Sequence, residues 1–271
     1  MLIDCKSLAK KIEEETVELL KNSKKQAKLV SYALNPDPST VSYLKSQQKK
    51  AQTLGIEYVM KIFDNSQELV ENLKKDSQDE TVHGIFVAHP LPKDIDELSV
   101  VSLINPEKDI EGRNPVNLGR LFFGIEDFAP CTAAAVVEIL TSTTSLEGKK
   151  AVIVGRSVTV GQPVAVMLLR KDRSATVTVC HTKTKNLVEL TKSADIVVVA
   201  VGKPYFLTPE MVKEEAVVVD VGINVVEGKV VGDVHPDVEK KAFLTPVPGG
   251  VGVVTTSILM YRVARNAFRG G

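Results

Sequence analysis

The spacing of apolar residues changes period repeatedly along this chain, and each change marks an element. Residues 4–22 carry Leu8, Ile12, Val17 and Leu20 among their apolar positions and predict an amphipathic helix. A short apolar run at 29–34 predicts a strand, closed by the turn residues NPDPST. There follow a helix at 40–54 stopped by Gly55, a strand at 56–62, a helix at 67–75 and a strand at 84–88 closed by HPLP. Residues 98–104 read as a helical or turn segment running into a loop, NPEKDIEGRNPVNLGR. A helix at 132–141 leads to a second block: strand 151–154, helix 164–170, strand 176–179, helix 187–192, then strands 196–201 and 216–221. A Pro/Gly loop, TPVPGGVG at 245–252, precedes a last helix at 255–267. Alternation of strand and helix implies parallel sheets. Its two blocks predict two α/β domains with a cleft between them.

Bulk composition narrows the classes. A chain of 271 residues, 44% hydrophobic and 25% charged, has the make-up of an ordinary soluble globular protein. Lys+Arg and Asp+Glu balance at 34 each, so no net charge draws nucleic acid or an anionic membrane. No apolar run approaches the roughly 18 residues of a membrane span. The start, MLIDCKSLAKK, lacks an apolar signal core, and a cytoplasmic protein is expected. Cys5, Cys131 and Cys180 form no C-x-x-C pair, which fits reduced thiols. His83, His89, His181 and His235 show no metal-ligand spacing, so no metal site is expected.

The segment AVIVGRSVTVGQP, residues 151–163, carries the most chemistry. Four apolar residues end at Gly155, which allows a sharp turn, and Pro163 suits the first turn of a following helix. Strand, glycine loop and helix N-terminus together suit an anion. Gly161 is read as letting backbone approach a ligand. The spacing Gly155-x5-Gly161 is not the usual G-x-G-x-x-G, so the loop suggests a dinucleotide rather than proving one. Arg156 and Ser157 offer a guanidinium and a hydroxyl to the 2′-phosphate that separates NADP from NAD. The competing reading is a plain turn with a solvated arginine.

Taken with DPSTVSYLKSQQKKA, GIFVAHPLP, INPEKDIEGRNPVNLGRL, ATVTVCHTKTKNL, ADIVVVAVGKP, VVDVGIN, GDV and TPVPGGVGVVT, that segment resembles the FolD-type methylenetetrahydrofolate dehydrogenase/cyclohydrolase family along nearly the whole chain. The resemblance implies a folate-binding catalytic domain, residues 1–118 plus 253–271, and a Rossmann-type NADP-binding domain, residues 119–252. It also implies tetrahydrofolate substrates, NADP and a homodimer. The family oxidises 5,10-methylenetetrahydrofolate by hydride transfer to NADP, then hydrolyses methenyltetrahydrofolate to 10-formyltetrahydrofolate. The first step needs positioning above all. The second brings water to a cationic carbon and needs a proton carrier.

Residue by residue, the resemblance makes Tyr43 the tyrosine that orients folate. Its i+4 neighbour, on the same helix face, is lysine in the family's Y-x-x-x-K motif and Gln47 here. An amide hydrogen-bonds but does not shuttle protons near neutral pH. Lys50, two turns on, is a distant substitute. Ala88 stands where the family has glutamine, and His89 beside it titrates in the right range to carry a proton. Glu111 replaces the aspartate that pairs with the pterin edge, one methylene longer. Pro248, Gly249, Gly250 and Val251 match the folate and nicotinamide cradle. Gly155, Arg156, Ser157, Thr182 and Ile223 match the cofactor side, while Asp109 and Asp220 read as structural. Three readings follow: an NADP-dependent dehydrogenase with weak or absent cyclohydrolase activity, a fully bifunctional enzyme using His89 or Lys50, and a folate/NADP-binding protein without turnover.

Overall fold

The computed structural model describes residues 1–270, and the chain divides into two compact units, one of 10–120 with the residues from 256 onward, the other of 1–9 with 121–255. The first nine residues therefore fall outside the unit to which the resemblance assigns them. The reason is local pairing: Leu2 bridges Leu244, and the Ile3 N–H donates to the Leu244 carbonyl at 2.9 Å.

In the unit of 10–120, three parallel strands stand in the order β2-β1-β3, with β1 Lys28–Leu34, β2 Glu57–Phe63 and β3 Gly84–Val87. β1 is central, and six of its seven residues are buried, which explains its apolar run. Helix α1 (Cys5–Asn22) precedes it, and α2 (Pro38–Leu54) and α3 (Ser66–Gln78) follow β1 and β2. Asp37 caps α2 by accepting from the Thr40 N–H, Pro38 fits its first turn, and Gly55 ends it in the left-handed region. Val30, Tyr32, Leu34, Leu69, Leu73, Ile85 and Val87 form the core. Tyr32 and Lys61 both donate to Asp76, so the hydroxyl inside this core is satisfied. After β3 come α4 (Glu97–Val101) and α5 (Pro115–Phe122). Helix α5 lies where a loop is expected: Asn114 Oδ1 caps it through the Val116 N–H, an Asn-Pro start that is easily read as a turn. Helix α9 (Val251–Arg269) packs on β3, where a Cβ on Gly84 would lie 2.7 Å from Val263 Cγ2.

In the other unit, α6 (Cys131–Thr143) leads into five parallel strands ordered β10-β7-β6-β4-β5. They are β4 Lys150–Val154, β5 Thr176–Cys180, β6 Ile196–Val199, β7 Val217–Asp220 and β10 Phe243–Leu244, with α7 (Gly161–Leu168) and α8 (Leu187–Ser193) as crossovers. Leaving out the hairpin, the spatial order is 2-1-3-4-5, a doubly wound sheet whose switch point lies between β4 and β6. The antiparallel hairpin of β8 (Asn224–Val226) and β9 (Lys229–Val231), turning at Glu227-Gly228, and the two-residue β10 are absent from the sequence reading. Both are too short to show a period. Among the described residues no helix is long and apolar enough to cross a membrane. Nor does any group of three His, Cys, Asp or Glu side chains there hold metal-binding geometry. All three cysteines are buried and none of them forms a disulfide.

Candidate functional site

The loop after β4 is built by close backbone approach. Gly155 has φ +131°, and a Cβ on it would meet the Ala200 carbonyl oxygen at 2.3 Å. Gly161 is also required by the loop itself: its Cβ would lie 2.1 Å from the Gly155 carbonyl oxygen. Ser157 Oγ accepts from the N–H groups of Val160 and Gly161 at 3.1 and 3.4 Å, capping α7 internally. Its own proton remains to donate outward. Arg156 is exposed, and its guanidinium has no side-chain or backbone partner among the described residues. A guanidinium without a partner and a hydroxyl whose proton is still to donate, at the start of a helix on a doubly wound sheet, fit a phosphate-bearing dinucleotide. Thr182 is exposed after β5, the strand beside β4. Ile223 is 71% exposed after β7, so its side chain does not pack into the core.

The residues matched to folate chemistry sit on α2 and around β3. Tyr43 is 43% exposed, with its ring centroid 6.0 Å from that of Phe86. Gln47 lies one turn on but does not share that exposure: it is 1% exposed and belongs to the buried stripe Leu44, Gln47, Ala51 and Leu54. Tyr58 O–H donates to Gln47 Oε1 at 3.2 Å, while Nε2 has no hydrogen-bond partner. Burial pushes the Tyr58 hydroxyl up to about 12, so both members are neutral. Lys50 is occupied elsewhere, its Nζ 2.7 Å from Glu13 Oε1, an oxygen that also accepts from Ser257.

His89 follows buried Ala88 at the end of β3. Its Nδ1 lies 3.3 Å from Glu97 Oε1 and its Nε2 4.0 Å from Glu111 Oε2, yet neither nitrogen has an aligned hydrogen bond. Glu97 is instead ion-paired with Arg113. Burial, with the Arg113 charge behind it, brings the imidazole down to about 3, so His89 is neutral. Burial and the neighbouring Asp109 hold the Glu111 carboxyl well above the usual range, against a hydrogen bond from the Val87 backbone. Asp109, 1% exposed, accepts from the Gly112 and Asn114 N–H groups and from Asn117 Nδ2, and so shapes the turn into α5. Tyr58, Glu97 and Arg113 escape sequence reading because their role is to touch a site residue from another element. No local pattern marks them.

The loop matched to the cradle runs into α9. Pro248 is exposed after a cis peptide bond, Gly249 takes φ +96°, and Val251 is buried in the first turn of α9. Gly250, like Gly161, makes room for the chain itself: its Cβ would lie 2.2 Å from the Pro246 carbonyl oxygen.

A doubly wound sheet with a glycine loop and a free arginine after its first strand defines the class of nucleotide-binding α/β proteins. Two family profiles carry this further: the tetrahydrofolate dehydrogenase/cyclohydrolase catalytic domain matches residues 3–111, and the NAD(P)-binding domain of that name matches 130–269. The chain belongs to the tetrahydrofolate dehydrogenase/cyclohydrolase family. It is 62% identical to the bifunctional protein FolD of Pseudothermotoga lettingae, over 100% of this chain and 99% of that one. With the FolD protein of Thermotoga maritima it shares 55% over 99% of both. Among solved structures, the FolD dehydrogenase/cyclohydrolase of Campylobacter jejuni superposes with a TM-score of 0.93 at 40% identity, over 98% of each chain. That of Trypanosoma brucei, complexed with NADP and inhibitor, gives 0.91 at 33%, over 99% of this chain and 97% of that one.

Proposed function

We propose that this protein is an NADP-dependent 5,10-methylenetetrahydrofolate dehydrogenase of one-carbon metabolism in the cytoplasm, with a weak methenyltetrahydrofolate cyclohydrolase step. Arg156, Ser157 and Thr182 hold the 2′-phosphate, and the backbone at Ile223 faces the rest of the cofactor. Bound NADP supplies the hydride acceptor. Tyr43 orients the folate, Glu111 recognises the pterin edge beside Ala88 and His89, and the 248–251 loop, Pro248, Gly249, Gly250 and Val251, closes around the reacting end. Hydride transfer asks only for this positioning. Hydrolysis asks for more. Water adds to the cationic carbon and a proton must leave, which needs a group that titrates near the working pH.

The observation that carries the weak second step is Gln47, a buried amide spending its oxygen on Tyr58. The two substitutes do not make up for it. Lys50 is paired with Glu13, and a neutral His89 at about 3 is a feeble base. The reading of full bifunctionality is favoured by the FolD relative at 62% identity, which is named bifunctional. Two absorbance assays on the purified protein separate the two: NADP reduction with methylenetetrahydrofolate, and decay of added methenyltetrahydrofolate against the uncatalysed background. Reduction without accelerated decay supports the dehydrogenase; acceleration of both supports the bifunctional enzyme and overturns the weak second step. A homodimer is the proposed assembly, and light scattering on the eluting protein tests it.

A further inference from the structure

Two buried carboxylates, outside every group named so far as touching a ligand, tie together the loops at the C-terminal ends of β6 and β7. Asp233 is fully buried and Asp220 is 3% exposed. Asp233 Oδ2 accepts from the Val201 and Gly202 N–H groups at 2.7 and 2.9 Å, and Oδ1 from the Lys203 N–H and Asn224 Nδ2, both at 2.9 Å. Asp220 accepts from the N–H groups of Gly222, Asp233 and Val234, each at 2.9 Å. Thus the loop after β6, the loop after β7 and the segment after β9 share one pair of carboxyl groups. Two glycines are dictated by the same pair. A Cβ on Gly222 would lie 2.3 Å from the Asp233 carboxylate, and one on Gly232 would lie 1.8 Å from Asp220 Oδ2.

We infer that Asp233, seated by Asp220, is a positioning residue for the nicotinamide end of the cofactor. The inference rests on the NADP reading above. Sheet order places the two halves of a dinucleotide. The phosphate-seeking groups Arg156, Ser157 and Thr182 follow β4 and β5, on one side of the switch point, so the other half of the cofactor crosses β6 and β7. The backbone offered there is 201–203, whose three N–H groups Asp233 accepts, and 222–224, held by Asp220 at the Gly222 N–H and by Asp233 through the Asn224 side chain. Neither Gly202, at φ +65°, nor the largely exposed Ile223 lies in a regular element. Hydrogen bonds to a buried carboxylate are strong and directional, so they set these peptides before ligand arrives.

Binding of two probes to the purified full chain tests this: 2′,5′-ADP, which engages only the phosphate side, and NADPH, whose own fluorescence reports the nicotinamide end in a chain without tryptophan. D233N replaces one acceptor oxygen by a donor, and N224A removes one donor while leaving the carboxylate its three backbone partners. The affinity ratio of NADPH over 2′,5′-ADP should fall about tenfold in D233N and a few-fold in N224A, with 2′,5′-ADP binding unchanged. An unchanged ratio, or equal loss of both probes in N224A, overturns the inference. Should D233N fail to fold, N224A decides. If wild-type protein binds neither probe, the NADP reading itself has failed, and the positioning role falls with it.

Discussion

At Gln47 an amide stands where the proposed hydrolytic step asks for a proton carrier, and an amide donates hydrogen bonds without exchanging protons near neutral pH. Installing the lysine of the family motif, Q47K, should raise the rate of methenyltetrahydrofolate decay at least tenfold over wild type, read by absorbance. The same change should cost about 1–3 kcal/mol of stability in chemical denaturation, since a charged group enters a site that is 1% exposed. No gain in rate would show that something other than the missing lysine limits the step. On the cofactor side, R156A should raise the KM for NADP about tenfold or more while moving that for NAD by less than threefold, as loss of a charge-assisted phosphate pair requires. Equal effects on the two would refute a 2′-phosphate role for Arg156.

At the scale of elements, the glycine loop between β4 and α7 shows how a motif residue answers to the fold as well as to the expected ligand. Gly161 belongs to the loop as the motif suggests, and a Cβ on it would also meet the Gly155 carbonyl. G161A should therefore destabilise the apo protein itself, by about 1–3 kcal/mol for a forced backbone shift, in addition to weakening cofactor binding. Thermal unfolding without cofactor checks this, and an unchanged midpoint would return the glycine to a purely ligand-facing role. The same distinction explains Tyr43 and Gln47. Four-residue spacing puts two side chains on one side of α2, yet the boundary between core and surface passes between them. Strand β1 was legible because its neighbours bury both faces, whereas α5 was hidden by an Asn-Pro start that reads as a turn, and the β8–β9 hairpin by strands of three residues each, too short to show a period.

For the molecule as a whole, the buried imidazole makes acid stability a test of the site. The folded-state value of His89, about 3, lies below its ordinary 6.5. Protonation therefore favours the unfolded chain: the contribution is fully present above pH 6.5 and is lost as pH falls towards 3. Glu111 and Asp220 act with the opposite sign, because burial raises both, Asp220 to about 6, so their contribution is full below the ordinary carboxylate range and is lost as pH rises from there through the raised values. Subtracting the stability profile of H89Q from that of wild type isolates the histidine. The difference should decline steadily from pH 6.5 downwards, and a flat difference would mean an ordinary imidazole.

The amino-acid pattern by itself determined the α/β class, seven of the ten described strands, the long helices and the family. Those properties depend on local period and on motif, both of which are written along one segment at a time. Only the tertiary structure decided which of the candidate groups are available for chemistry. Gln47 is turned to Tyr58, Lys50 is held by Glu13, and His89 is stripped of its proton by burial beside Arg113. Tertiary structure alone also revealed Asp233 joining loops from three parts of the chain. Burial and partnership set a group's charge and freedom, and both arise from residues distant in sequence.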